Sequence, residues 1–520
     1  MHSYNTVRIY RGGGMSVKRR FIYNGIILTL VGFAMRGVAL FLGAYITSEI
    51  GAEGVGLQGL IATVYSFAVT FATSGVSLSV TRLVASSIGE GKGGTRVLRG
   101  AFIYAICFGT VATAMLFLFS DLIGTVILAD ARVAAALRIL SVSLLPIALS
   151  AVISGYFIAV RRVAFNATVQ ILGQVMRIIM TVVLLNRAGG GDVSTAIRAL
   201  ALGTAITEFF CFIVAFSEYL LDRRLHRETA DSGCGLSDVA KMALPLALSA
   251  YVRSFLLSVE HSLIPRRLVD RGNSRSEALA SYGYLGGMAL PIILFPMTPL
   301  SSFSGLLVPE FAESEGASDT ARISRMAKGA MERALTYALI MAIFIFTFSE
   351  ELGYVIYDTY EAGKYIGLLA PVIPLMYLDH VTDSMLKGIG EHVYSMWVNI
   401  ADSFLSVLLV WVLIPIFDIS GYAIVIILME LFNFSLSYLR LRKRIHFCFN
   451  FITSALIPIF SAFVGVFAAR MVFVFTGSAV SPIWLIMQMV FGACVCIGLI
   501  VIFETILKGE KCKLKFSKSA

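Results

Sequence analysis

The run Ile483-Trp-Leu-Ile-Met-Gln-Met-Val-Phe-Gly-Ala-Cys-Val-Cys-Ile-Gly-Leu-Ile-Val-Ile-Phe-Glu-Thr-Ile-Leu507 carries one formal charge, Glu504. The hydrocarbon slab of a bilayer is about 30 Å thick, so a crossing helix needs roughly 20 mostly apolar residues. Inside the slab every backbone polar group must be satisfied within a helix or a closed barrel, and an uninterrupted apolar run of this length selects the helix. Working outward from it, the same reading marks Asn24 to Ser48, Leu57 to Ser86, Leu98 to Leu118, Ala134 to Val160, Phe165 to Leu185 and Ile197 to Leu220. After a polar break follow Val239 to Ile264, Ala278 to Val308, Ala327 to Phe348, Tyr365 to Leu386, Val393 to Pro415 and Gly421 to Leu439, then Phe451 to Phe475. The expectation is an all-α polytopic membrane protein with about fourteen transmembrane helices.

Composition agrees. The 520 residues are 58% hydrophobic and 14% charged, with a mean hydropathy of +0.84, far from the composition of soluble domains. Met1 to Gly14 is polar and Gly-rich, and the first apolar stretch is long enough to span, so no cleaved signal peptide is expected. Met15 opens a second plausible start. The seven cysteines (Cys107, Cys211, Cys234, Cys448, Cys494, Cys496, Cys512) are scattered and odd in number, which fits no disulfide framework. Cys494-x-Cys496 has no metal-ligand partners nearby and reads as two small helix residues.

Lysine and arginine crowd one set of loops: Lys18 to Arg20, Lys92 to Arg99, Arg161-Arg162, Arg223 to Arg227, Arg322 to Lys328, Arg440 to Arg444 and the tail from Lys508. With an even number of crossings all of these share a face, which the positive-inside rule makes cytoplasmic together with both termini. The opposite loops at Asn186 to Thr195 and Asp418 to Ser420 are nearly free of basic residues, and Ser349 to Glu361 is acidic. One exception stands out: Arg266-Arg267 with Arg271 and Arg275 falls outside, so either it binds something external or the seventh crossing is misplaced. The net charge of +10 is then a topology signal rather than a nucleic-acid footprint.

The stretch Asp222 to Gly235 is the strongest composition break in mid-chain and reads as a boundary. The expected organisation is a cytoplasmic N-terminus (1–20), a first six-helix lobe (21–221), a linker (222–237), a second lobe (238–445), two further crossings (446–507) and a basic cytoplasmic tail (508–520). The lobes read as parallel repeats. Each opens with a helix bearing one mid-helix arginine, Arg36 and Arg253. The second helix of each block ends in small residues and an acidic Gly loop, and the fourth helices align Pro146 with Pro374 and Gly155 to Asn166 with Asp383 to Tyr394. Two pseudo-symmetric lobes around a cavity are a transporter plan.

These segments carry a family resemblance: Met35-Arg36-Gly37, Gly51-Ala-Glu-Gly-Val-Gly, Thr73-Ser-Gly-Val-Ser-Leu-Ser-Val-Thr-Arg-Leu-Val-Ala, Ala243-Leu-Pro-Leu-Ala-Leu-Ser, Leu263-Ile-Pro-Arg-Arg-Leu and Leu386-Lys-Gly-Ile-Gly. The chain resembles, over nearly its whole length, the oligosaccharidyl-lipid and polysaccharide exporter (MOP) superfamily, in the branch of stage V sporulation protein B-like proteins and lipid II flippases. The resemblance implies a V-shaped, two-lobed flippase that moves an undecaprenyl-diphosphate-linked oligosaccharide across the bacterial inner membrane by alternating access, with the last two helices shaping a groove for the lipid tail. Related multidrug exporters of the MATE type have twelve crossings and a cation-binding Asp in the first helix; here Arg36 stands instead, a departure that favours an anionic cargo.

A charge at mid-bilayer costs at least about 2.5–3.5 kcal/mol, so such residues face a wet cavity or a partner. Arg36 and Arg253 are the expected headgroup clamp, since a guanidinium fork matches diphosphate oxygens; the structural alternative is an ion pair locking two helices. Arg177 is a further substrate-binding candidate. Arg82 and Arg470, near helix ends, are expected to snorkel. Glu208, Glu260, Asp402 and Glu430 are the candidate coupling or cavity acids. Asp379, Asp383 and Lys387 recur at i, i+4 and i+8, with His380 beside them, and form one polar face of the tenth helix for sugar hydroxyls or a coupling ion. His261 reads as interfacial, and Gly286-Gly287 with Pro291, Pro296 and Pro299 predicts a broken eighth helix.

No cofactor and no metal is expected, only coupling to H+, Na+ or the membrane potential. The expected partners are the lipid-linked sugar, the bilayer and cell-wall or polysaccharide synthases. A cation-coupled multidrug antiporter is the alternative function. An enzyme is not expected, because the interior loops are short and carry no clustered acids.

Overall fold

The computed structural model describes residues 17–89, 94–160, 162–189, 192–225, 235–317, 319–445, 452–474 and 481–517. The polar N-terminal extension, Arg161 and most of the expected linker lie outside them. The described residues are helical throughout, with no strand among them. Eleven of the helices are long and apolar enough to cross a membrane, and thirteen when two bent pairs are each read as one span. The first helix, Val17–Thr73, turns at Gly51 (φ 66°, ψ 179°) and so supplies two crossings. Only glycine adopts that conformation without strain. The second crossing resumes as Val76–Gly89 after a turn at Ser74 and Gly75, both with positive φ.

The rest of the first bundle is Thr95–Leu118, the bent pair Arg132–Ser141 and Leu144–Ala159, Val163–Ala188 and Val193–Leu225. The second bundle opens with Leu236–Asp270, which bends by 44° at Pro245. The eighth crossing is broken as its prolines and glycines predict. Arg275–Tyr282 passes into a π segment, Gly283–Ala289, then Leu290–Leu294, a 3-10 turn at Phe295–Met297, and Thr298–Gly316. Thr320–Thr347 follows. The acidic loop folds as a short helix, Ser349–Tyr357, before the tenth crossing, Tyr360–Leu369 and Ile373–Gly388. His392–Phe417 and Ile419–Arg444 complete the bundle; Ile457–Val474 and Pro482–Ser517 form the final pair.

The fourth crossing packs on the second at Gly155, where an added Cβ would lie 2.5 Å from the Ser77 carbonyl, and the tenth packs on the eighth at Gly388, 3.0 Å from the Val308 carbonyl. Pro146 and Pro374 each sit in the first turn of the helix that resumes after a break. Large apolar side chains such as Phe404, Phe463, Phe467, Ile486 and Val490 are more than half exposed. In a membrane these meet lipid rather than water.

In the basic cluster at the far end, three of the four arginines have partners within the protein. Arg267 pairs with Asp270 at 3.0 Å and lies 4.7 Å over the Trp411 ring. Arg271 donates to the carbonyls of Pro415 and Ile416 (3.4 and 2.6 Å), and Arg275 donates to the Leu128 carbonyl. Cations there satisfy the negative ends of neighbouring helices.

Arg470 has partners in the neighbouring hairpin. It pairs with Glu351 at 2.8 Å, donates to the Thr347 carbonyl at 2.6 Å and lies 5.1 Å over Phe348, fastening the thirteenth crossing to the acidic hairpin. Arg470→Leu is expected to remove about 1–3 kcal/mol of this docking. Hydrogen exchange should then quicken in Ile457–Val474 while the twelve bundle helices keep their protection; equal protection in both proteins would mean that apolar packing alone holds the pair.

Candidate polar site in the second bundle

At the break in the eighth crossing four consecutive carbonyls each accept a side-chain hydrogen bond. Tyr377 donates to Ile293 at 2.9 Å, Arg36 to Leu294 at 2.6 Å, the Thr298 hydroxyl to Phe295 at 2.8 Å and Tyr337 to Pro296 at 2.6 Å. Buried carbonyls left bare would cost about 1–3 kcal/mol each. The rings of Tyr337 and Tyr377 stack at 6.1 Å and steady this wall. Arg36 therefore reaches across from the first bundle, within electrostatic reach of Tyr377 and His380. The side chain is exposed, so the rest of its fork faces outward from the wall.

Arg253 is likewise exposed and faces Asp402. Among the described residues no contact joins the two arginines. Each is set separately against the second bundle, so the structural alternative of an Arg36 ion pair is not what is seen. Arg177 and Glu208 are brought together instead, at 3.1 Å, as a pair between the fifth and sixth crossings of the other bundle.

The remaining acids gather in one row. Glu260, only 7% exposed, lies beside Ser406 and within reach of Asp402. Asp402 adjoins Asn433; Glu430 lies within reach of both Asp379 and Asp402. Asp379 adjoins Ser437 and Asp383. Asp383 accepts from Lys387 and from Ser395. The sequence-derived face of the tenth crossing is thus one of three facing polar stripes. The others are Ser395, Asn399, Asp402 and Ser406 on the eleventh crossing, and Glu430, Asn433 and Ser437 on the twelfth. Both keep a three-to-four residue spacing that puts them on one helix face. That spacing was legible, yet a search restricted to charged residues passes over the serines and asparagines.

Three acceptors in this row are buried with no hydrogen-bond partner: Asp379 Oδ1, Asp402 Oδ1 and Asn433 Oδ1. Against five carboxylates the row sets Arg253 and Lys387, with the Arg36 charge at its edge. Among the described residues no group of three His, Cys, Asp or Glu side chains is close enough to hold a metal ion.

His261 is half-buried against two tyrosines. Its Nδ1 is 2.6 Å from the Tyr282 hydroxyl, and the ring meets Tyr422 edge-on at 6.4 Å. A second group that charge-in-membrane reasoning misses closes the basic end of the first bundle. Asp222, 2% exposed, pairs with Arg162 and accepts from Tyr156 at 2.8 Å. In the second bundle, Glu391 is held below the usual carboxylate range by the hydrogen bond from Arg440, with Arg444 adding to it; the carboxylate–guanidinium distances are 2.8 and 2.5 Å.

Known proteins share this architecture. The chain is 23% identical over 423 residues, 79% of its length and 81% of the relative's, to stage V sporulation protein B of Bacillus subtilis (strain 168). The solved structure of the lipid II flippase MurJ in an inward closed conformation superposes with a TM-score of 0.71 at 14% identity, covering 93% of this chain and 99% of that one. An inward-facing multidrug resistance MATE family transporter of the MOP superfamily superposes with a TM-score of 0.61 at 15% identity, covering 80% and 97%. The MatE family model matches residues 272–412, a stretch that includes Asp379, Asp383 and Asp402. The family model described as polysaccharide biosynthesis protein matches residues 21–313, more than half of the chain, and with these neighbours it places the chain in the polysaccharide biosynthesis protein family of the MOP superfamily.

Proposed function

We propose that this chain is a flippase that carries an undecaprenyl-diphosphate-linked oligosaccharide, a peptidoglycan precursor or a polysaccharide repeat unit, from the inner to the outer leaflet of the bacterial cytoplasmic membrane. The observation that carries the reading is Arg36. It is exposed, held at a defined point by the Leu294 carbonyl at 2.6 Å, and set where the two bundles meet. A guanidinium anchored through one arm keeps donors for a diphosphate, and an anionic headgroup is the ligand such a fork matches. The kinship with a lipid II flippase and with stage V sporulation protein B points to the same class of cargo. Arg253 supplies a second cation once it leaves Asp402, and the stripes around Asp379 and Asp383 offer acceptors to sugar hydroxyls. Both chain termini and the lysine- and arginine-rich loops are assigned to the cytoplasm. Translocation needs no covalent step.

The bundles rock at Pro245. The start of the seventh crossing is packed on the first bundle, where a Cβ on Gly100 would lie 2.7 Å from the Leu236 nitrogen. The 44° bend separates this anchored turn from Ala247–Asp270, which packs with the eleventh crossing. Coupling resides in the acid row. Its oxygen acceptors are single and spaced, which suits protons taken up one carboxylate at a time; a Na+ ion would require several of them to converge. An inside-negative potential adds about 2.3 kcal/mol per outward-moving negative charge per 100 mV. Synthases that make or consume the lipid-linked sugar are the partners this cargo implies.

The test is native mass spectrometry of the purified full chain with undecaprenyl-diphosphate-linked sugars, for the parent protein, Arg36→Ala and Arg253→Ala. Weaker binding in both variants is the expected result. Equal binding in all three would remove the clamp. Retention of organic cations in place of the lipid would establish the antiporter, which the MatE match and the acid row favour as the second reading.

A further inference from the structure

The far ends of the bundles meet in a contact that cargo binding does not use. Two glycine-rich stretches face each other there, Gly51-Ala-Glu-Gly-Val-Gly-Leu-Gln-Gly59 and Gly283-Tyr-Leu-Gly-Gly287. A Cβ on Gly56 would lie 2.0 Å from the Leu279 carbonyl, one on Gly283 2.2 Å from the Ala52 carbonyl, and one on Gly287 2.3 Å from a Val55 methyl. No side chain larger than hydrogen fits at these points, so the two backbones lie in direct contact. Ala278 and Leu279 are fully buried in the seam.

Charged side chains lie over it. Glu53 accepts from Ser276 of the second bundle at 2.6 Å and pairs with Arg132 of its own bundle at 2.8 Å. Arg132 also pairs with Asp130, 8% exposed, at 2.8 Å. From the second bundle Arg275 donates to the Leu128 carbonyl, in reach of Asp130.

We infer that Glu53, Asp130 and Arg132 with Arg275 and Ser276 form a breakable latch over the glycine seam, and that this latch sets how readily the far side of the chain opens. Reversibility lies in how the charges are divided. Glu53 and Asp130 share Arg132 inside the first bundle, which leaves this group one net negative charge. The Ser276 and Arg275 hydrogen bonds and the attraction of Arg275 for Asp130 cross between the bundles, so separation breaks these while the close ion pairs of Arg132 stay whole. The Ser276 hydrogen bond holds Glu53 below the usual carboxylate range; burial would raise Asp130, but the Arg132 hydrogen bonds and charge outweigh it. The first-bundle half of the latch therefore stays charged at neutral pH. The inference rests on the transport reading only in requiring the bundles to separate, and its test involves no cargo.

The test is Leu279→Cys in the full chain, treated in intact cells with a membrane-impermeant thiol reagent, with the parent chain's own cysteines as background. The introduced thiol should label slowly. Adding Ser276→Ala or Arg275→Gln should raise the rate roughly tenfold, the effect of losing one hydrogen bond across the seam. Gly56→Ala, whose methyl group cannot be housed against Leu279, should raise it further. An unchanged, slow rate in all three would overturn the latch and make the seam a static interface. Faster labelling in a chain that fails to bind lipid diphosphates would leave the latch standing and remove only the cargo.

Discussion

Replacing Arg36 by alanine is expected to weaken binding of a lipid-linked diphosphate by roughly 10- to 100-fold, and flipping in proteoliposomes with it. The figure follows from hydrogen bonds to charged groups, worth about 1.5–3 kcal/mol, at 1.4 kcal/mol per tenfold. Arg36→Lys should recover little of the loss. An ammonium is a point charge and cannot hold the Leu294 carbonyl and still present a planar fork to two phosphate oxygens. The lysine variant also separates the two roles of the residue. If it keeps the thermal stability of the parent but not the binding, the fork is the functional element; if alanine and lysine both bind normally, Arg36 is only a tie between the first and eighth crossings.

Asp222→Ala is expected to give the largest loss of stability, on the order of 3 kcal/mol, because removing one partner of a buried pair leaves the other uncompensated. The figure sits at the low end of the usual range since the Arg162 side chain keeps 34% exposure. Tyr156 loses its acceptor as well. Thermal unfolding of the detergent-purified protein, followed by tryptophan fluorescence, should show a clear fall in Tm. The double variant Arg162→Met with Asp222→Leu should restore most of it, because an apolar pair of similar volume leaves no buried charge. An unshifted Tm in the single variant would mean that water reaches the pair and screens it.

Part of the polar site could be read from spacing, and part could not. Asp379, Asp383 and Lys387 are one helix face by arithmetic, and so are Ser395, Asn399, Asp402 and Ser406. That these faces turn toward one another, and that Glu260 and Glu430 join them, depends on four helices meeting. Arg177 and Glu208 were separate candidates in the sequence and are one ion pair in space. Position along a helix carries no record of the Tyr282 and Tyr422 rings that receive His261.

The sequence by itself determined the class and the apolar crossings. Partition into a bilayer is a property of each segment on its own, so a run such as Ile483 to Leu507 carries its answer locally. The broken eighth crossing was legible for the same reason, since Gly286, Gly287, Pro291, Pro296 and Pro299 act on their own backbone. Only the tertiary structure decided that Arg36 caps the Leu294 carbonyl of the other bundle, that Arg470 grips Glu351, and that the far-face arginines are absorbed by helix ends. These partners lie far apart along the chain, and a charge excluded from lipid has many ways to be satisfied. Which one it takes is set by where the packed helices bring an acceptor within hydrogen-bond reach.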